Sequence, residues 1–92
     1  MKITKTKIRT EIAIIYRNDE IPDCEMWIMK ERDRRFKDCF HDEARVWVGD
    51  TLEKHLKRDA GESEEEFEKR AIYLYESVIK TTKKLRSGAK HD

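Results

Sequence analysis

Little in this sequence interrupts a folded chain. It has one proline and three glycines in 92 residues, too few for a disordered tract or a flexible linker. Long apolar runs are also missing, and no stretch nears the ~18 residues that a membrane-spanning helix needs. No apolar core follows Lys2 and Lys5, so no secretory leader is expected and a cytoplasmic location is. Cysteine is scarce. Cys24 and Cys39 form neither a CxxC pair nor a zinc spacing, and reduced, buried thiols are the simple expectation. A glycine-rich phosphate loop, a nucleophile elbow and a His-containing triad are absent. These absences leave no expectation of catalysis, cofactor or metal.

Charge is what the chain does have. Charged residues make up 45% and apolar residues 37%, with 21 basic side chains against 20 acidic ones. A single domain of this length builds a thin core, so pairing with a second copy is expected. The charge is unevenly placed. Lys5, Lys7 and Arg9 lie near the start, Lys80, Lys83, Lys84 and Arg86 near the end, and acids crowd between Asp50 and Glu68.

Residues 63–86 carry the clearest pattern. Ser63 and Glu66 have the spacing of a capping box, and Glu64, Glu65 and Glu66 occupy the turn where a helix dipole favours negative charge. Lys80, Lys83, Lys84 and Arg86 match the opposite end, and Gly88 is a stop signal. Phe67, Ala71, Leu74, Val78, Thr81 and Leu85 recur at steps of three and four, with Ile72, Tyr75 and Ile79 beside them. The spacing predicts one long helix whose broad apolar face must be covered by a sheet or by a twin. Phe67, Leu74, Tyr75 and Val78 are the candidate dimer contacts.

The first half reads as strand. Residues 3–16 alternate, with Thr6, Ile8, Ile12, Ile14 and Tyr16 on one side and Lys5, Lys7, Arg9 and Glu11 on the other. Asn18, Asp19 and Pro22 mark a turn. Residues 24–31 fit either a strand buried on both faces or the start of a helix, and the lack of a good cap favours the strand. Residues 36–41 and 44–48 read as further short strands. Asp50 with Glu53 is a second capping signal, and Leu52, Leu56 and Ala60 would share a face of a short helix that Gly61 ends. The expected fold is therefore α+β in one domain, residues 1–92. Three or four antiparallel strands over residues 1–49 precede a helical hairpin over 50–86 and a frayed tail over 87–92.

Leu56, Gly61, Ser63, Glu66, Phe67, Ala71, Ile72 and Tyr75 carry a resemblance to the ribbon-helix-helix family of DNA-binding proteins. The resemblance covers residues 44–79 and implies an intertwined dimer whose short strands enter the major groove. Arg45 and Trp47 would be the readers. The basic stripe of Lys5, Lys7 and Arg9 would either follow a phosphate backbone or be an ordinary solvated face. The other expectation is a protein-binding inhibitor or adaptor, of the kind mobile elements use against host defences, with Glu62, Glu64 and Glu65 as its contact surface. Cys39, His41 and His55 do not supply three or four ligands at metal spacing. Trp27 and Trp47 are core residues unless exposed, in which case they mark a contact surface.

Overall fold

The protein is described by a computed structural model that covers residues 3–32 and 40–88. Five strands precede one helix: β1 (Lys5–Arg9), β2 (Ala13–Asn18), β3 (Cys24–Arg32), β4 (Phe40–Val48), β5 (Thr51–Lys57) and α1 (Glu64–Gly88). The strands form a single sheet in the order β1-β2-β3-β4-β5, each antiparallel to the next. The α+β class and the long C-terminal helix match the sequence expectation.

The sheet has five strands where three or four were expected, and three expected elements differ. The alternating run over residues 3–16 is a hairpin, not one strand. Glu11 and Ile12 form its two-residue loop, where the Thr10 amide donates to the Ala13 carbonyl at 2.9 Å and Thr10 Oγ1 accepts from the Ala13 amide at 3.0 Å. The threonine side chain supplies the turn without glycine or asparagine. The second difference is larger. The expected short helix after Asp50 is strand β5, so there is no helical hairpin, and Leu56 of the ribbon-helix-helix resemblance sits on a strand. Gly49 takes φ +60° in the two-residue loop Gly49-Asp50 between Val48 and Thr51. That geometry turns the chain straight back along β4 and leaves no room for a helix start. Gly61, with φ +86°, reverses the chain between β5 and α1 instead of ending a helix. Residues 44–48 are not a separate short strand, because β4 runs from Phe40 through Asp42 and Glu43 to Val48. The expected strand over 36–41 lies partly outside the described residues, as does the tail beyond Gly88.

The helix is laid down as its signals require. Ser63 Oγ accepts from the Glu66 amide at 3.1 Å, and acids fill the first turn. Phe67, Ala71, Tyr75, Val78 and Ile79 are its buried residues. The buried stripe thus runs through Tyr75 and Ile79, with Leu74 at its margin, while Leu85 stays 70% exposed. These residues pack on Tyr16, Cys24, Met26, Ile28, Ala44 and Val46 of the sheet. Burying a side chain the size of Phe67 contributes about 1.5–3 kcal/mol. Phe67, Tyr75 and Val78 are covered by the chain's own sheet, so they are not a surface for a twin.

Polar contacts fix the helix against the sheet. Asn18 is buried, and the two N–H groups of its side-chain amide are shared among the carbonyls of Ile21 and Cys24 and the Tyr75 hydroxyl, at 3.1, 2.9 and 2.7 Å. Its oxygen accepts from the amides of Glu20 and Ile21. The Tyr75 hydroxyl donates to the Cys24 carbonyl at 2.7 Å, and burial pushes that phenol up to about 12. Arg86 holds Asp23 through two bonds of 3.0 and 2.9 Å, and Lys83 reaches Glu20 at 2.7 Å.

Asn18→Ala removes every bond that the Asn18 side chain makes, keeps the Tyr75–Cys24 bond, and takes from the buried Ile21 amide its acceptor. It is expected to lower unfolding stability by at least about 2 kcal/mol, against about 1 kcal/mol for Tyr75→Phe, which leaves each neighbour another partner. Urea denaturation of the two variants measures the order.

Candidate functional site

The register sorts the side chains of the sheet. Lys7, Tyr16, Met26, Val46 and Lys54 are aligned across the five strands on the helix side. One residue along, Ile8, Ile15, Trp27, Arg45 and His55 align on the other side. Ala13, Met29, Glu43 and Lys57 form the next row there, and Glu25, Trp47 and Leu52 another. None of the residues in the last three rows belongs to the core under α1. The second face nevertheless carries apolar material: Ala13 and Ile15 are only 6% and 8% exposed, flanked by Ile8, Trp27 and Met29. Trp27, Met29 and Trp47 are partly exposed. Two tryptophans and a methionine thus lie partly exposed on one sheet face that α1 does not cover.

Charge on this face is organised in pairs. Glu25 accepts from the Trp27 indole N–H at 3.2 Å and lies 3.6 Å from Arg17. Glu43 is buried, accepts from Arg45 Nε at 3.2 Å, and has His55 Nδ1 at 3.8 Å. Asp23, Glu25, Trp27, Met29, Arg45, Trp47 and Gly49 line a notch of about 360 Å³. Arg86 beside Asp23 holds that carboxyl below its ordinary value.

The expected site residues divide between the two faces. Arg45 and Trp47 are neighbours on the helix-free face, as their alternation in β4 implies. Lys5, Lys7 and Arg9 point to the opposite side, because the hairpin places them over the helix. Lys5 pairs with Glu76 at 3.3 Å and Lys7 with Glu68 at 2.6 Å. The two groups therefore do not form one surface. Glu62 is also engaged: Arg70 grips it with two bonds of 2.8 Å and reaches the Lys57 carbonyl at 2.9 Å. That guanidinium keeps the Glu62 carboxyl low. Glu64 and Glu65 are exposed on the first turn of α1. Trp27 is the functional candidate that the sequence left among possible core residues.

A second polar group lies on the helix side. The Tyr16 hydroxyl donates to Glu68, which also accepts from Lys7. The Lys7 bond, and then the Tyr16 bond, hold the Glu68 carboxyl below its ordinary value. Burial, then Glu68, raises the Tyr16 phenol. Cys24 is fully buried, and burial pushes its thiol up to about 11, so it is not a reactive group. Among the described residues, no group of three or more His, Cys, Asp or Glu is placed to hold a metal ion. No described helix is long and apolar enough to cross a membrane.

Comparison with protein-family models, with curated proteins and with solved structures returned no match. The helix-free face has to be read from its own residues.

Glu68 supplies a pH test. A carboxyl held low in the folded state stabilises fully above about pH 4.3, and that contribution is lost as pH falls through the folded value. Glu68→Gln should be less stable than the parent by up to about 1 kcal/mol at pH 7. It should also lose less stability on acidification, read as thermal midpoints between neutral pH and about pH 3.

Proposed function

We propose that this chain is a non-catalytic protein-binding module, an inhibitor or adaptor, that docks through the helix-free face of its sheet. One observation carries the reading: Trp27, Met29 and Trp47 are partly exposed beside Arg45 on a sheet face that the chain's own helix does not cover. Tryptophan, methionine and arginine are the residue types enriched at protein interfaces, and tryptophan and arginine dominate their energetic centres. The strand pleat presents them on a rigid base, so little side-chain freedom is lost on docking.

Charge favours a protein over a nucleic acid. A phosphate backbone laid on this face would meet Asp23, Glu25 and Glu43. Lys5 and Lys7, the lysines expected to help hold phosphates, are tied to Glu76 and Glu68 on the other side. The contact surface also moves away from the expected acidic residues Glu62, Glu64 and Glu65. Glu62 is spent on Arg70, and the first turn of α1 offers no apolar anchor beside Glu64 and Glu65 other than buried Phe67.

The test uses immobilised protein and a soluble host extract. One stoichiometric protein partner is expected. It should be lost on combining Trp27→Ala with Trp47→Ala, and retained by Glu64→Lys with Glu65→Lys, with circular dichroism melts confirming that both variants fold. Retention by the tryptophan variant would sink the reading. So would retardation of duplex or single-stranded DNA that depends on Arg45 and Trp47, which would restore the nucleic-acid alternative.

A further inference from the structure

We propose that the notch between Trp27 and Trp47 receives a cationic side chain, arginine or lysine, from the protein that docks on this face. The inference rests on the protein-binding reading above and names what that site recognises. The notch holds about 360 Å³, at the small end of the roughly 300–1,000 Å³ of small-molecule pockets. That suits one inserted side chain. Its walls include two indoles, whose faces carry negative electrostatic potential and attract ammonium and guanidinium groups.

Its rim has the matching charge. Among the lining residues, Asp23 and Glu25 are acidic and Arg45 is basic. Arg45 lies 3.2 Å from Glu43, so a carboxylate outside the notch offsets its charge. Arg86 and Arg17 flank Asp23 and Glu25 from outside in the same way, so the notch is negative by one charge only among its lining residues, two acids against one base. Glu25 also accepts from the Trp27 indole N–H at 3.2 Å, which couples that carboxylate to the orientation of the ring. Arg86 keeps Asp23 ionised from one side. A carboxylate has about four lone-pair sites, so Asp23 and Glu25 can each accept a second cation beside Arg86 and Arg17. An anionic group entering the same space would meet both carboxylates.

Trp27 and Trp47 are the only tryptophans in the chain, so tryptophan fluorescence reports on this notch alone. The probe is a capped tetra-arginine peptide, titrated at physiological salt, with capped tetraglutamate and an oligothymidylate as comparisons. A saturable emission change is expected with tetra-arginine and not with the other two. The combination Asp23→Asn with Glu25→Gln should weaken it at least tenfold. Arg86→Gln, which breaks the same ion pair without altering the notch lining, should not weaken it.

No saturable response to tetra-arginine overturns the proposal, as does an equal response in the Asp23→Asn, Glu25→Gln variant. Saturable binding of the oligothymidylate in place of the peptide overturns it in favour of base stacking. The two readings separate in the partner assay. A partner lost with both tryptophans but held unchanged by Asp23→Asn with Glu25→Gln removes the cation notch and leaves the interface standing.

Discussion

A five-stranded sheet has two faces, and the described residues include one helix with which to cover them. The helix lies along the face built by Tyr16, Cys24, Met26, Ile28, Ala44 and Val46, and the core forms there. Everything on the second face must reach a compromise with water. Ala13 and Ile15 do so by sitting low between larger neighbours. Trp27, Met29 and Trp47 do so only in part, and the paired charges around them keep the surface from being continuously apolar. The candidate interface follows from this shortage of covering material, because nothing in α1 can shield both sides of the sheet at once.

The same geometry explains why charge divides as it does. β1 is an edge strand, and its lysines project over the helix. There they find Glu68 and Glu76, about 12 Å apart along α1 against about 7 Å between Lys5 and Lys7 along β1, a difference that the long lysine side chains span. Charges that looked like a phosphate-tracking stripe are thus fasteners between layers. At the other end of the helix, Lys83 and Arg86 perform the same service for Glu20 and Asp23. Exposed pairs of this kind contribute little each, typically under about 1 kcal/mol, but four of them along one helix fix its direction across the strands.

Much of the fold could be read from residue pattern. Ser63, Glu66 and the apolar spacing after them announced α1, alternation announced the later part of β4, and the lack of a good helix cap favoured a strand at β3. Two features hid. Leu52 and Leu56 are four residues apart behind an Asp50–Glu53 capping signal, which is the pattern of a helix. In a regular strand, residues four apart would share a face. The register irregularity opposite Val46 and Trp47 instead places Leu52 opposite Trp47 and Leu56 opposite Ala44, on opposite faces, so neither simple period describes β5. The turn at Thr10 hid because its threonine side chain does what glycine or asparagine usually does. The candidate site was half visible: alternation placed Arg45 and Trp47 together, but only the pairing of β3 with β4 brings Trp27 alongside. A contact between residues about 20 apart in sequence leaves no trace in local periodicity.

The meander order has one more consequence. Each strand neighbours the strand made just before it, so the sheet can zip hairpin by hairpin without any segment waiting for a distant mate. Loop-closure entropy is then small at every step until the last. Only α1 must travel back, bringing Glu68 and Glu76 to strand β1 across the whole width of the sheet. The apolar side of the sheet that holds Tyr16, Met26 and Val46 has no cover from α1 until that helix lands, so closure of the core waits for α1.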